Sequence, residues 1–163
     1  MPQVYVSLGS NIRAEANICS CTQYLRARFK RVVSSDVYQT PAEGFEGAAF
    51  LNSVVGFETN LSITELRDYL RNLEDLHGRE RGGEKFSSRT LDVDLLLYGK
   101  VVLQPEGNLP HSDILNYSFV LIPLAEIAPE QTHPVLNKNF HQLAHNADFN
   151  RTKMVPVEIN CES

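Results

Sequence analysis

Residues 40–47 of this 163-residue chain connect two strand-like stretches without room for a helix. They read Thr-Pro-Ala-Glu-Gly-Phe-Glu-Gly, and a proline with two glycines is typical of a loop. Residues 31–38 before the loop carry β-branched and aromatic side chains, and residues 50–58 after it also read as a strand. A doubly wound sheet needs a helix after each strand. This loop therefore argues against the doubly wound class.

The elements before the loop are a strand and a helix. Residues 4–8 form an apolar run that is typical of a buried strand, and we predict a helix after them that ends near Arg28. Ser10 or Asn11 is the expected N-cap of this helix. Its buried stripe is formed by side chains that recur at three- and four-residue spacing, namely Ile18, Cys21, Leu25 and Phe29.

A second helix follows the strand at 50–58. Ser62-Ile63-Thr64-Glu65 matches a capping box, and Gly78 is the expected stop. The side chains expected to be buried on one face are Leu66, Leu70, Leu73 and Leu76. The resulting β-α-β-β-α-β order predicts a ferredoxin-like α+β core, in which helices pack on a largely antiparallel sheet.

Composition favours a single cytoplasmic domain over residues 1–163, of which 131–163 are weakly patterned. Hydrophobic residues make up 42% and charged residues 21%, an ordinary globular mixture. No apolar run approaches the roughly 20 residues of a transmembrane helix, and the net charge of −5 disfavours nucleic acid as a partner. The N-terminus lacks an export signal, and Cys19, Cys21 and Cys161 form no CxxC pair. We therefore expect a reduced cytosolic protein without a membrane or obligate protein partner.

Two aspartates stand inside an apolar run. Strand geometry places Asp92 and Asp94 on one face. The opposite face then carries Leu91, Val93, Leu95 and Leu97. A half-exposed acidic face would explain the pair equally well, but the three consecutive leucines at 95–97 indicate a strand buried on both faces. Unpaired carboxylates are costly there, so we expect a cation, and oxygen ligands favour magnesium over zinc.

A basic segment, residues 79–89, comes directly before this acidic pair. Its cations are Arg79, Arg81, Lys85 and Arg89. On its own, such a run is more often a solvated surface loop. Beside a metal-binding strand it suits triphosphate oxygens, to which arginine offers a planar, bidentate match. No GxxxxGK[ST] loop is present, which excludes a P-loop enzyme.

Aromatic and amide side chains suit a flat heterocycle as a ligand. Phe50 and Asn52 share a strand face, where an aromatic side chain stacks on a ring and an amide reads its edge. Phe119 is a candidate for the opposite side of the ring. A core aromatic and a satisfied core amide are the simpler explanation of the pair. His111, after Pro110, is either an ordinary loop residue or a donor to a phosphate oxygen.

In their order along residues 4–130, several motifs resemble those of the 6-hydroxymethyl-7,8-dihydropterin pyrophosphokinases of the folate pathway. The motifs are Val6-Ser7-Leu8-Gly9-Ser10-Asn11, Tyr38-Gln39-Thr40-Pro41, Phe50-Leu51-Asn52, Gly78-Arg79-Glu80-Arg81, Arg89-Thr90-Leu91-Asp92-Val93-Asp94 and Pro110-His111. The segment 89–94 is close to a family signature. The resemblance implies transfer of an intact pyrophosphoryl group from ATP to the hydroxymethyl group of the pterin, with release of AMP.

The same resemblance implies cofactors and residue roles. Two magnesium ions would be held by Asp92 and Asp94, with ATP as the co-substrate. Catalytic roles fall to Arg79 and Arg89, which neutralise charge on the moving group, and to Asp92, which orients or deprotonates the hydroxymethyl group. The ATP-binding residues would be Glu74, Arg81, Lys85, Arg89 and His111. The pterin-binding residues would be Thr40, Pro41, Ala42, Glu43, Phe50, Asn52, Asp92 and Phe119. The alternative is a catalytically weak homologue that binds a pterin or a nucleotide.

Overall fold

The computed structural model describes residues 1–41, 47–78, 90–148 and 153–161. The strands within these ranges are β1 (Gln3–Ser10), β2 (Lys30–Ser34), β3 (Val37–Thr40), β4 (Phe50–Glu58), β5 (Asp92–Tyr98) and β6 (Val155–Val157). The helices are α1 (Ala14–Arg28), α2 (Ile63–Leu76), α3 (Asp113–Asn116), α4 (Ser118–Ile127) and α5 (Phe140–Asn146). None of these helices is long and apolar enough to cross a membrane.

The strands form one sheet in the order β5-β1-β4-β3-β6, and β2 also pairs with β4. Every pairing among these strands is antiparallel. The first strand lies between β4 and β5, so it places elements from distant parts of the chain side by side. The predicted α+β fold, with helices packed on a largely antiparallel sheet, is confirmed.

The single strand predicted over residues 31–38 is divided into β2 and β3, and that prediction is wrong in this respect. β2 lies beside the end of β4, and β3 lies beside its start. Between them the Ser35 hydroxyl accepts the backbone N–H of Val54 at 2.9 Å. The N–H of Asp36 donates to the carboxylate of Glu126 on α4 at 2.8 Å. Ser35 keeps a backbone bond to the Val54 carbonyl at 2.9 Å, and the strand breaks at Asp36, whose N–H donates to Glu126 instead of to β4.

The sheet separates two apolar clusters, one under α1 and α2 and one under α3, α4 and α5. Leu66, Leu70 and Leu73 of α2 are buried as predicted, but Leu76 is 67% exposed. At 3.6 residues per turn, the buried stripe extends to Leu70, roughly 40° to one side of Leu66, whereas Leu76 lies roughly 80° to the other side. That angle takes it off the buried stripe, so its predicted burial is wrong. Glu74, on the other side of the stripe, is buried instead.

A β-bulge in β5 changes which face its apolar side chains occupy. Tyr5 of β1 pairs with Leu97, but the next residue, Val6, pairs with Leu95, so Leu96 is an extra residue. Leu95 packs under α1 and α2, whereas Leu96 and Leu97 both pack under the helices of the opposite face. The prediction that Leu97 shares a face with Leu95 is therefore wrong.

Helix α1 has Arg13 as its N-cap, with φ at 47° and no side-chain cap, so the prediction that Ser10 or Asn11 caps it is wrong. The Ser10 hydroxyl donates instead to the backbone carbonyl of Thr90. The Asn11 amide donates to the backbone carbonyl of Ala48 at 3.0 Å. Both side chains therefore connect the turn after β1 to the segments that lead into β5 and β4.

The cysteines are not all reduced, contrary to the expectation from the sequence. Cys19 of α1 is joined by a disulfide to Cys161, with their Cα atoms 5.2 Å apart, and Cys21 is a free, buried thiol. The pair is separated by 142 residues. Because no local pattern connects such distant positions, only the return of residues 153–161 to the sheet brings the two cysteines together.

Candidate functional site

Strand β5 begins with the two aspartates. Asp92 pairs with Gly9 of β1 and Asp94 pairs with Ser7, so both carboxylates leave the same face of the sheet. Both residues are half-buried. Alternate residues of a strand are roughly 7 Å apart, a spacing over which two carboxylates offer oxygen ligands to hard cations.

A row of residues crosses the sheet at the level of Asp92. Gly9 is paired with Asp92 on one side and with Asn52 of β4 on the other, and Asn52 is paired in turn with Tyr38 of β3. Gly9 has no side chain, so a trough lies between the Asp92 carboxylate and the Asn52 amide. The backbones of β4 and β5, on either side of Gly9, are two strand spacings or about 10 Å apart.

The Asn52 amide has a defined orientation in this row. Its Nδ2 donates to the Thr40 hydroxyl at 2.9 Å. Its Oδ1 lies 3.5 Å from the position that a Cβ atom on Gly9 would take. Asn52 is 5% exposed. A buried acceptor therefore borders the trough, and such an acceptor suits an N–H group on the edge of a flat ring.

The two predicted aromatic residues lie on the same side of the sheet as the trough. Phe50 precedes Asn52 by two residues, pairs with Thr40 and is half-buried. Phe119, near the start of α4, packs against the apolar cluster on that side. Its ring stacks on Tyr117, with centroids 5.0 Å apart and planes 26° apart.

A cavity of about 330 Å³ lies beside the outer edge of β5. Helix α2 contributes Arg67, Arg71 and Glu74 to its wall, β5 contributes Val93 and Asp94, and His111 also lines it. Glu74 is buried, and its carboxylate accepts the backbone N–H of Val93 at 2.9 Å. Glu74 thereby connects α2 to the edge of β5 that faces away from β1.

Arg67 and Arg71 are residues of this wall that the sequence analysis missed. Arg67 donates to the backbone carbonyl of Gly107 and so connects α2 to the loop before α3. Residues 67, 71 and 74 are spaced by four and three positions, which places them on one face of a helix. The spacing of the two arginines relative to Glu74 is the signal in the sequence that could have identified them.

His111 lines the cavity, and hydrogen bonds to the backbone orient it. Its backbone N–H donates to the carbonyl of Leu96 on β5 at 2.9 Å. Its Nδ1 accepts the backbone N–H of Asp113 at 3.1 Å. Burial lowers the pKa of the imidazole, and although Asp113 and Asp92 oppose that shift, Arg67 adds to it. A neutral imidazole that accepts at Nδ1 carries its proton at Nε2.

Possible ligand atoms of Asp94, His111 and Asp113 lie within 4.8 Å of one another. A neutral imidazole has one lone pair available, and the Asp113 N–H already occupies it. The two carboxylates on β5 are therefore better placed than this trio to hold magnesium, which prefers oxygen ligands. Asp92 and Asp94 fit the predicted metal site chemically.

Six predicted site residues lie outside the described ranges. They are Ala42, Glu43, Arg79, Arg81, Lys85 and Arg89. Among the others, the structure brings Thr40, Asn52 and Asp92 to one row of the sheet, and Glu74, Asp94 and His111 to one cavity. Pro41 follows Thr40 at the end of β3 and is exposed.

Comparison with known proteins relates the chain to a family. Residues 5–129 match the model of the 7,8-dihydro-6-hydroxymethylpterin-pyrophosphokinase (HPPK) family. A Haemophilus influenzae protein named 2-amino-4-hydroxy-6-hydroxymethyldihydropteridine pyrophosphokinase is 34% identical over 141 residues, which cover 82% of this chain and 86% of the relative. A Pseudomonas aeruginosa protein of the same name is 35% identical over 137 residues, or 81% and 84% of the two chains.

A solved structure shares the fold. The HPPK-DHPS protein of Plasmodium falciparum matches with a TM-score of 0.70 over 98% of this chain, at 13% identity. The match covers 48% of that protein, so this chain spans about half its length.

Proposed function

The chain belongs to the 7,8-dihydro-6-hydroxymethylpterin-pyrophosphokinase family, and we propose that the trough above Gly9 and the cavity beside Asp94 together form its active site. The protein transfers a pyrophosphoryl group from ATP to hydroxymethyldihydropterin in folate biosynthesis. ATP is its co-substrate and leaves as AMP. The main support for assigning these residues to the active site is that Asp92, Gly9 and Asn52 are paired in one row across three strands.

The trough binds the pterin ring. Gly9 leaves the space above its backbone open to a flat ring, and Asn52 Oδ1 accepts from the ring edge while Thr40 holds the amide in place. Phe50 and Phe119 lie against the ring faces, since aromatic side chains stack on flat rings. Pro41, at the end of β3, contacts the pterin, and Ala42 and Glu43, outside the described ranges, also bind it, as the resemblance implies. The hydroxymethyl group then points toward Asp92.

The cavity binds the nucleotide. Nε2–H of His111 donates to a phosphate oxygen, while Arg67 and Arg71 supply positive charge from α2. Glu74 holds the edge of β5 in place behind the phosphates. Outside the described ranges, Arg81 and Lys85 provide further cations for ATP, as the resemblance implies.

Asp92 and Asp94 hold magnesium, as the family's kinase chemistry requires, and we propose two ions. Magnesium held by these two carboxylates would supply positive charge to the phosphate oxygens and help to align the attacking and leaving groups. The carboxylates supply this site without histidine or cysteine, consistent with a preference for a hard cation. No third metal ligand is assigned among the described residues.

The transfer itself is a displacement at the β-phosphorus of ATP. The hydroxymethyl oxygen forms a bond to this phosphorus, its proton passes to Asp92, and the bond to the oxygen that bridges the α- and β-phosphates breaks. That oxygen keeps the electron pair and leaves with AMP. Arg79 and Arg89 neutralise charge on the moving group, because phosphoryl transfer depends mainly on positioning and electrostatics.

We further propose that residues 1–163 form one domain, since β6 near the C-terminal end belongs to the same sheet as β1. The cytoplasm, where ATP is available, is the proposed compartment.

The test is product analysis with ATP, magnesium and the pterin. We expect AMP and pyrophosphorylated pterin in equal amounts, and AMP formation should require the pterin. Formation of ADP alone would refute the proposal. Tight binding of both ligands without any AMP would instead favour the catalytically weak binding protein.

A matched variant tests the trough separately. Asn52→Leu keeps the side-chain size but removes the ring-edge acceptor, so we expect KM for the pterin to rise about tenfold, the usual effect of losing one buried hydrogen bond. KM for ATP should remain within about twofold, since the cavity is untouched. An unchanged pterin KM would contradict the assignment of the trough.

A further inference from the structure

Residues 153–161 return to the sheet and are fastened there at several points. β6 pairs with β3, with Pro156 opposite Tyr38. Beyond β6, Ile159 packs against the apolar cluster under α1 and α2. The backbone N–H of Asn160 donates to the Glu15 carboxylate at 3.1 Å, and the disulfide to Cys19 follows at the next residue. The family match ends at residue 129, so this segment lies outside it.

We propose that the Cys19–Cys161 disulfide is a thiol–disulfide exchange site, and that its reduction by a dithiol loosens β6 from β3 and weakens pterin binding. The effect on the pterin rests on the proposed function. The exchange site itself does not.

The exchange chemistry follows from the different exposure of the two cysteine residues. Cys161 is exposed and Cys19 is 8% exposed, so an incoming thiolate reaches Cys161. One thiolate of the dithiol attacks Cys161 Sγ, the S–S bond breaks, and the Cys19 thiolate leaves and takes up a proton. The second thiol then displaces Cys161, which also takes up a proton. Two electrons and two protons pass to the protein, and the dithiol becomes a disulfide.

The third cysteine does not interfere with this exchange. Cys21 is fully buried, and burial together with the charge of Glu74 raises the pKa of its thiol to about 12. Because the thiolate is the nucleophile in exchange, Cys21 does not attack the disulfide. Cys19 and Cys161 therefore form a single two-state pair.

The disulfide is connected to the pterin trough through two strand pairings. β6 pairs with β3, and β3 pairs with β4 so that Tyr38 lies between Pro156 and Asn52. β3 also carries Thr40, which fixes the Asn52 amide. When β6 is released, β3 becomes a four-residue edge strand. Short edge strands with few buried contacts open readily, so the Asn52 acceptor loses its fixed position.

A reducing compartment makes this exchange relevant. Disulfides in the cytosol are seldom permanent, because thiol systems keep cysteines reduced. A disulfide that fastens one exposed end of the chain is therefore expected to respond to the balance between dithiol and disulfide around it.

The experiment compares oxidised protein, protein reduced with dithiothreitol, and Cys161→Ser. Alkylation after denaturation should modify one thiol in the oxidised form and all three after reduction. Hydrogen exchange should become faster in residues 155–157 and 37–40 in both the reduced protein and Cys161→Ser, and stay unchanged in β1 and β5. Affinity for 6-hydroxymethyl-7,8-dihydropterin should fall about three- to tenfold, since ordering β3 then opposes binding. Dithiothreitol should have no further effect on Cys161→Ser.

Three results would overturn the proposal. The first is alkylation of all three thiols before reduction, which would mean that no disulfide forms. The second is an unchanged rate of hydrogen exchange at residues 37–40 after reduction. The third is a loss of affinity for a non-hydrolysable ATP analogue as large as the loss for the pterin. If hydrogen exchange responds to reduction as expected but the oxidised protein forms no AMP, the thiol–disulfide exchange site is supported and the proposed function is refuted.

Discussion

Gly9 keeps the trough open between Asp92 and Asn52, so Gly9→Ala places one methyl group where the pterin ring is proposed to lie. The added Cβ would lie 3.5 Å from Asn52 Oδ1, an ordinary van der Waals distance. The φ angle of Gly9 does not fall in the left-handed region. The fold should therefore accept the methyl group, and alanine in a strand is about 0.5–1 kcal/mol more favourable than glycine.

The same methyl group should interfere with the ligand. A ring that rests on the Gly9 backbone must rise by about 1.5 Å, the length of a carbon–carbon bond. Inserting a methyl group into a filled space typically costs about 1–3 kcal/mol. We therefore expect pterin affinity to fall about ten- to hundredfold, while ATP analogue affinity and the free energy of unfolding stay near those of the wild type.

The assay combines pterin titration with thermal or denaturant unfolding, and Gly56→Ala is the matched control. A Cβ on Gly56 would lie 2.7 Å from Cε1 of Tyr5, whose side chain is buried. This control should lose about 1–3 kcal/mol of stability without selective loss of pterin affinity. If Gly9→Ala binds the pterin like the wild type, the ring does not lie over Gly9. If it unfolds, the account of the trough is wrong.

Three further predictions test individual groups. The Ser53 hydroxyl is buried without a hydrogen-bond partner in the described part of the chain. Ser53→Ala should therefore raise the free energy of unfolding by about 1 kcal/mol in denaturant titrations. A lower free energy of unfolding would show that the hydroxyl has a partner. Burial lowers the pKa of His133, and its Nδ1 accepts two backbone N–H groups. The neutral imidazole therefore stabilises the fold above pH 6.5, and this stabilisation is lost as the pH falls through the pKa of the folded state. His133→Asn should therefore flatten the fall in stability below pH 6.5, and an identical pH profile would contradict this. Arg71→Ala should raise KM for ATP about tenfold with kcat nearly unchanged, and an unchanged KM would remove Arg71 from the nucleotide site.

Local signals predicted those parts of the fold that depend on neighbouring residues. Strand β4 has the predicted bounds Phe50–Glu58. The capping box at Ser62 and Glu65 is present with both hydrogen bonds. In each case the pattern and the contacts that satisfy it lie within a few residues of each other, so the sequence alone is sufficient.

Non-local packing explains what the sequence did not predict. The bulge at Leu96 arises from the register between β1 and β5, which no single strand encodes. The break at Ser35 depends on Glu126, about ninety residues later. The Cys19–Cys161 disulfide depends on the return of the C-terminal segment.

The same distinction between local signals and non-local packing applies to the candidate site. Asp92, Asp94 and Asn52 carry recognisable chemistry, and the sequence identified them. Their arrangement around Gly9 follows from the pairing of β1 with both β4 and β5. The cavity wall formed by Arg67 and Arg71 likewise appears only when α2 is placed beside β5.

The most direct test of the central claim uses ATP labelled at the β-phosphate, with wild type, Asp94→Asn and the surface control Asp148→Asn. The account predicts that wild type and Asp148→Asn transfer the label to the pterin with equal release of AMP. Asp94→Asn should be at least about 10²-fold slower, as loss of one electrostatic stabiliser commonly is. Label that stays in ADP, or an Asp94→Asn rate equal to that of the wild type, would contradict it.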